Sequence, residues 1–327
     1  MPYRRKVALL SCVAALLACA YVLSLVFDPE RSGRRSDTYA WLDLRLRDSV
    51  DRIDFNGGES GGDGGISLVC RNGRWLLRRE GREYPAREAR VEELLDLLSR
   101  RASYPRRSAS TASHALFGLS ETVASRITLR GGAGLPLLDL LIGRVDAGGG
   151  SLYMRKAGSN EVRSGDGGLS AYIDNEARSW YDLRLFPEGA ITLGSVQRLT
   201  VIPPAWVSAG GEPSETAVTM LISREGNRWR IDAGARSPGD VETSRVDSYV
   251  NGILNMTGDD VVPSGPSGGE DEALILELGD GRVVRLRLGL PLSDDGDRPA
   301  WVLGLGGDQS SGYALAPWAL DRIFRTP

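Results

Sequence analysis

The chain has 327 residues, enough for two ordinary domains, and its 41% hydrophobic and 25% charged residues are typical of a folded globular protein. The formal net charge is −3, which leaves −6 for residues 28–327 once the three cations ahead of the first apolar run are set aside. This acidic balance argues against nonspecific nucleic-acid binding, because that function needs a basic face.

The first predicted element is a transmembrane helix at Val7–Phe27, a run of 21 residues without a charge. A helix of that length matches the hydrocarbon thickness of a bilayer, roughly 30 Å. Residues 1–6 carry three positive charges and are predicted to stay in the cytoplasm, which places residues 28–327 outside the cell membrane in a single-pass arrangement. Residues 28–40 form a linker. A lipoprotein signal with Cys19 as the lipidated residue is the alternative, although the sequence continues apolar after Cys19.

After the linker, the sequence repeats itself. Trp41-Leu42-Asp43-Leu44-Arg45-Leu46 returns as Trp180-Tyr181-Asp182-Leu183-Arg184-Leu185, and Asn72-Gly73-Arg74-Trp75 is matched by Gly226-Asn227-Arg228-Trp229. The order of the matched segments is kept. We therefore predict two repeats, residues 41–179 and residues 180–327.

Each repeat contains one clear amphipathic helix. The first apolar stripe has the spacing i, i+3, i+4, i+7, and the same spacing returns 155 residues later. The two stripes are Val91, Leu94, Leu95 and Leu98, and then Val246, Tyr249, Val250 and Ile253. A shorter helix is predicted to close each repeat, near Leu169–Arg178 and at Pro317–Phe324.

The remaining apolar runs predict strands joined by tight turns. Asn72-Gly73 and Asp280-Gly281 are typical hairpin turns. The predicted strands are Ile66–Cys70, Arg74–Arg79, Ser125–Arg130, Leu137–Gly143, Leu152–Lys156, Val218–Arg224, Arg228–Asp232, Leu274–Leu278, Val283–Leu288 and Ala300–Leu305. The predicted fold class is α+β: an N-terminal transmembrane helix followed by two tandem repeats of mostly antiparallel sheet, each with an amphipathic helix.

This succession resembles the domain-of-unknown-function 4340 family of bacterial envelope proteins. The elements that carry the resemblance are the hydrophobic N-terminal helix, the strands at Val50-x-x-Ile53 and Val196-x-x-Leu199 with their glycine–tryptophan hairpins, Phe117-Gly118-Leu119, and Asp182-Leu183-Arg184. It covers most of residues 40–327. The resemblance implies a protein encoded beside ABC-transporter components of the gliding-motility type, and it supplies neither a reaction nor site residues.

Motifs for catalysis and cofactors are missing from the sequence. His114 is the only histidine, which excludes a zinc site built on several histidines of one chain. A Ser-His-Asp triad could use only His114, and no Gly-x-Ser-x-Gly elbow surrounds a serine. No Gly-x-x-x-x-Gly-Lys-[Ser/Thr] loop is present, so the chain is not a P-loop ATPase. No cofactor and no metal are predicted.

Acidic clusters provide the one route to an enzyme. They are Asp259-Asp260, Glu270-Asp271-Glu272 and Asp294-Asp295-Gly296-Asp297, all in predicted loops where solvated charge is the ordinary outcome. Two carboxylates facing each other across a cleft could hydrolyse an envelope glycan.

Arginine pairs are the candidate contacts for a partner. They are Arg78-Arg79, Arg100-Arg101 and Arg106-Arg107, and all belong to the first repeat. The leading hypothesis is a non-enzymatic, membrane-anchored binding or scaffold protein that serves as an accessory subunit of an ABC-type transporter, with the bilayer and transporter subunits as partners. The alternatives are a carboxylate-dependent glycan hydrolase and a ligand-binding sensor.

Overall fold

The computed structural model describes residues 16–19, 21, 38–56, 65–173, 177–204, 219–234, 241–292, 296–305, 312–325 and 327. The chain divides into two compact units. Unit 1 comprises Met1–Glu80 and Glu88–Asn175, and unit 2 comprises Gly81–Arg87 and Glu176–Pro327.

The described strands, in chain order, are β1 (Thr38–Tyr39), β2 (Val50–Asn56), β3 (Ile66–Arg71), β4 (Arg74–Arg79), β5 (Arg82–Pro85), β6 (Ala102–Ser103), β7 (Arg106–Ser108), β8 (Ser125–Gly131), β9 (Leu135–Val145), β10 (Ser151–Lys156), β11 (Val162–Asp166), β12 (Val196–Val201), β13 (Met220–Glu225), β14 (Arg228–Asp232), β15 (Asp260–Val262), β16 (Asp271–Leu278), β17 (Val283–Leu288), β18 (Arg298–Leu303) and β19 (Gly312–Leu315). The α-helices are α1 (Glu88–Ser99), α2 (Ser170–Ile173), α3 (Thr243–Leu254) and α4 (Pro317–Phe324). Short 3-10 helices include Leu44–Ser49 and Ala177–Trp180.

Unit 1 is built on one long antiparallel sheet. Its strands follow one another in the order β4-β3-β2-β8-β9-β10-β11-β7. The two-residue strands β1 and β6 pair separately, with Thr38 opposite Ser103 and Tyr39 opposite Ala102.

Unit 2 is built on an eight-stranded antiparallel sheet in the order β14-β13-β12-β16-β17-β18-β19-β15. Its core contains residues from the sheet together with the buried stripes of α3 and α4. Val246, Val250 and Ile253 of α3 are at most 1% exposed. Both helices therefore supply apolar side chains to the same core as the sheet.

Alternation along the strands directs apolar side chains to the core face of each sheet. In β2, Ile53 and Phe55 are buried, whereas Arg52 and Asp54 are only partly buried. Successive side chains of a strand point to opposite faces, so this pattern directs one set into the core and the other toward solvent.

The predicted helices and hairpin turns are confirmed where the pattern is strong. The stripe on α1 is buried, with Val91, Leu94 and Leu98 at 0% exposure. Asn72 and Gly73 have φ of 52° and 76°, the left-handed pair that a two-residue type I′ hairpin requires between β3 and β4.

The predicted fold class is corrected in its first element. In the part of the chain that the structure describes, no helix is long and apolar enough to cross a membrane. The predicted span Val7–Phe27 lies outside the described residues except for positions 16–19 and 21. Among the described helices whose bounds are given above, α1 and α3 are the longest, and each has 12 residues with one buried stripe. A helix that spans a membrane needs about 20 apolar residues. The described architecture is mostly antiparallel sheet, in three sheets.

Candidate functional site

Unit 1 contains an open groove of about 1010 Å³, which we call the basic groove. It lies where β1 and the segment after it meet the C-terminal end of α1. The backbone N–H of Leu42 donates to the carbonyl of Leu98 at 2.9 Å, and β1 pairs with β6 just after the helix. These backbone bonds bring the two segments together, and Lys156 of β10 completes the lining. The lining includes the side chains of Tyr39, Trp41, Arg45, Arg100, Arg101 and Lys156.

The wall of the basic groove is aromatic and already packed. The rings of Tyr39 and Trp41 meet edge to face, with centroids 5.3 Å apart, and Trp41 also packs on Tyr104 at 5.6 Å. The Lys156 ammonium and the Arg163 guanidinium lie 5.2 and 4.9 Å from the centre of the Tyr39 ring. The wall of the basic groove is therefore a packed aromatic cluster with cations beside it.

Two buried polar atoms of this wall lack hydrogen-bond partners among the described residues. They are the indole Nε1 of Trp41 and the hydroxyl of Tyr104, and both side chains are 3% exposed. Burial raises the pKa of Tyr104, which keeps its hydroxyl neutral. A buried donor without an acceptor is uncommon, because it loses its bond to water without a replacement.

Positive charge dominates the lining of the basic groove. Of its four cations, Arg100 is paired with Asp166 at 2.6 Å, and Lys156 lies over Tyr39. Arg45 and Arg101 are exposed, and no described carboxylate pairs with either of them. Two guanidinium groups are therefore available to an anion from outside the unit.

The two carboxylates of the lining already have local partners. Asp43 caps the 3-10 helix Leu44–Ser49, because its Oδ1 accepts from the backbone N–H of Arg45 at 2.9 Å. Asp96 accepts from the Nε of Arg47 at 2.9 Å. Neither acid neutralises the exposed cations Arg45 and Arg101.

The structure separates the three arginine pairs predicted as partner contacts. Arg78 and Arg79 lie on β4, at one end of the strand order of unit 1, and Arg106 and Arg107 lie on β7, at the other end. Arg100 and Arg101 line the basic groove. The pairs do not form one continuous contact surface, and one pair belongs to a concave site.

The other candidates from the sequence are held in local structure. The His114 Nε2 is 3.3 Å from the carbonyl oxygen of Asn160. Glu270 accepts from the backbone of Ser267 and Gly268, and Glu272 pairs with Arg285 at 3.3 Å. None of the described acids of the predicted clusters lines the basic groove. Asp294 and Asp295 lie outside the described residues, and among the described ones no His, Cys, Asp or Glu group suits a metal ion.

Unit 2 repeats the sequence motif that contains Arg45 but neutralises its arginine. Arg184, the counterpart of Arg45, donates to both carboxylate oxygens of Asp182, at 2.9 and 3.0 Å, and also bonds Glu188. The hydrogen bonds that Arg184 donates to Asp182 and Glu188 raise its pKa. Four residues after Arg45 stands Ser49 rather than a glutamate, so unit 1 lacks the second acid.

The prediction from sequence missed Tyr39, Trp41, Arg45 and Lys156 as site residues. Trp41 and Arg45 were used only as markers of the repeat. A usable signal was present: the chain has only two lysines, and one of them is Lys156. These four residues meet only through the tertiary structure, including the pairing of β1 with β6. Their spacing in the sequence does not predict that they meet.

Comparison with known proteins gives one match. A family model described as "Domain of unknown function (DUF4340)" matches residues 75–277. No curated protein and no solved structure matches the chain. Arg100, Arg101 and Lys156 fall inside the matched range, whereas Tyr39, Trp41 and Arg45 precede it.

Proposed function

This chain belongs to the DUF4340 family, a domain of unknown function, and from that premise we propose that it is a non-enzymatic binding protein whose partner docks on the basic groove of unit 1. The observation that carries the proposal is the pair of exposed guanidinium groups, Arg45 and Arg101, in a groove of a chain whose net charge is −3. Positive charge concentrated in a concavity attracts and orients an anionic partner.

Binding is favoured over catalysis by the state of the acids in the groove. General acid–base chemistry needs a carboxylate that can reach a substrate proton. Asp43 is used as a helix cap and Asp96 as the partner of Arg47. Two of the groove cations differ from these acids, because neither Arg45 nor Arg101 is paired with a described carboxylate.

The comparison with unit 2 supports a binding role for these cations. The equivalent arginine there, Arg184, is paired with Asp182 and Glu188. Arg100 and Arg101 follow the long helix of unit 1, whereas Asn255 and Met256 follow the long helix of unit 2. The fold of unit 2 therefore forms with the equivalent arginine neutralised. Charge that the fold does not need is a reasonable mark of function.

The family resemblance makes ABC-type transporter subunits the partners to test first. The experiment is in-cell crosslinking followed by mass spectrometry of proteins captured with the full chain. We expect permease and ATPase subunits with the wild-type chain and a loss of most of that capture with R45E/R101E, because charge reversal repels an anionic partner.

The charge-matched control is R106E/R107E, on the exposed strand β7. It changes the net charge by the same amount at residues that do not line the groove, and it should leave the capture intact. Capture that survives R45E/R101E, or that both variants abolish equally, contradicts docking on the basic groove.

A further inference from the structure

We infer that the occupant of the basic groove is an acidic peptide segment of a partner protein that also carries an apolar side chain. This inference rests on the proposed function, since it names the ligand class of the same groove. It follows from the charge, the aromatic wall and one exposed leucine of the lining.

The charge selects carboxylates. Guanidinium groups form paired hydrogen bonds with carboxylates, and Arg45 and Arg101 are exposed without a described acid beside them. Arg100 adds a third guanidinium that is 59% exposed although it is paired with Asp166. Aspartate and glutamate side chains are the carboxylates that a protein partner supplies.

The aromatic wall disfavours ligands that bind by ring stacking. Sugars and nucleic-acid bases use an exposed aromatic face. Trp41 is 3% exposed, and the half-buried Tyr39 ring has Lys156 and Arg163 beside it. The wall therefore offers little stacking surface, and an acidic glycan is the weaker candidate.

An apolar contact lies among the cations. Leu44 lines the basic groove and is 68% exposed, whereas its counterpart Leu183 in unit 2 is partly buried. An exposed leucine next to two guanidinium groups matches a segment that alternates acidic and apolar residues.

The test is fluorescence anisotropy of labelled probes with the full chain. The probes are a short peptide alternating glutamate and leucine, its analogue with glutamine for glutamate, its analogue with glycine for leucine, and an oligogalacturonate. We expect the glutamate–leucine peptide to bind most tightly, the glutamine analogue to bind at least about tenfold more weakly, and the affinity to fall with added salt.

Variants assign the binding to the groove. R45E/R101E should weaken the glutamate–leucine peptide by about tenfold or more, and L44S by about threefold, whereas R106E/R107E should stay within about twofold of wild type. Thermal unfolding of each variant checks that the fold is retained, which is expected because Arg45, Arg101 and Leu44 are exposed.

The outcomes separate this inference from the proposed function. Oligogalacturonate binding as tightly as the peptide, with the same dependence on Arg45 and Arg101, overturns the peptide and leaves groove binding standing. The same holds if no peptide binds while capture of a partner in cells still requires both arginines. If neither peptide binding nor cellular capture depends on these arginines, both proposals fall.

Discussion

Unit 1 and unit 2 arrange eight strands in the same order. Each strand of the series β4-β3-β2-β8-β9-β10-β11-β7 has its counterpart in β14-β13-β12-β16-β17-β18-β19-β15. In both series a 12-residue helix follows the first hairpin, and a shorter helix closes the unit. Shared order over eight strands, together with the matched motifs, indicates that the two units arose by duplication of one fold.

The two units differ in the environment of the arginine in the repeated Trp-x-Asp-Leu-Arg-Leu motif. Arg184 of unit 2 is bound by Asp182 and Glu188, whereas Arg45 of unit 1 is exposed and lines the basic groove. After the long helix, unit 1 has Arg100-Arg101 and unit 2 has Asn255-Met256, in which Met256 is buried. The repeated sequence motif thus carries an exposed arginine in one copy and a neutralised arginine in the other.

The solvent-facing sides of the two sheets show a second difference. In unit 1, Arg126 of β8 donates to Asp139 of β9 at 2.6 Å. In unit 2, the charges are exchanged between the equivalent strands, because Glu272 of β16 pairs with Arg285 of β17 at 3.3 Å. Cross-strand complementarity is kept although the residue types are reversed, as expected when the interaction matters more than its members.

The largest expected effect tests whether the two long helices are equivalent in their cores. Leu98 and Ile253 occupy the last position of each apolar stripe and are 0% and 1% exposed. Leu98→Ala and Ile253→Ala should each lower the free energy of unfolding by about 2–5 kcal/mol, because each leaves a cavity in a packed core. Urea unfolding measures both. Leu44→Ala, at an exposed site, is the control and should stay within about 0.5 kcal/mol. A decrease in the free energy of unfolding below about 1 kcal/mol at either buried position would show that the two helices are not equivalent in their cores.

An intermediate effect is expected at the reversed charge pair. The hydrogen bond from Arg126 lowers the pKa of Asp139, so ionised Asp139 stabilises the folded state. Asp139→Asn should cost about 1 kcal/mol at neutral pH, since the pair is partly exposed. The contribution is complete above the unfolded pKa of about 3.9 and is lost as the pH falls through the lowered folded pKa.

Denaturant unfolding of wild type and Asp139→Asn at pH 7 and at acid pH measures this difference. The gap between the two proteins should begin to narrow near pH 4 and close only once the pH is below the lowered folded pKa of Asp139. Glu272→Gln in unit 2 is the matched comparison and should have the smaller effect, because its ion pairs are 3.3 and 3.5 Å long. A gap between wild type and Asp139→Asn that persists unchanged at acid pH would refute the assignment to Asp139 ionisation.

The smallest effect bears directly on the basic groove. Arg184→Ala should lower the free energy of unfolding by up to about 1 kcal/mol, because it leaves Asp182 and Glu188 without their partner at a partly exposed site. Arg45→Ala should change it by less than about 0.5 kcal/mol. Thermal or urea unfolding of both variants checks the contrast. Equal destabilisation would assign Arg45 a structural role and weaken its role in binding.

Elements with strong periodicity could be predicted from sequence, and those without it could not. Helix α4 has the predicted bounds Pro317–Phe324, and β17 and β14 match their predicted ranges. The strands β7, β11, β15 and β19 were missed because they are three to five residues long, and two of them contain glycine. Such short segments become strands only through pairing with neighbours that are distant in sequence.

The candidate site was predictable in part. The Arg100-Arg101 pair was recognised, because adjacent cations after an amphipathic helix are visible in sequence. Tyr39 and Lys156 were missed, since they stand 117 positions apart and meet only through the pairing of β1 with β6 and the position of β10 in the sheet.

The sequence by itself determined the duplication, the two amphipathic helices and the type I′ hairpin. These depend on spacing within about a dozen residues, where side-chain direction follows from the backbone period. Only the tertiary structure decided that the basic groove forms, because the fold brings Arg45, Arg101 and Lys156 into one lining. The neutralisation of Arg184 by Glu188 is local, four residues along the chain, and Ser49 stands at the matching position of unit 1. Contacts between residues that are distant in sequence are set by the packed fold and not by local sequence.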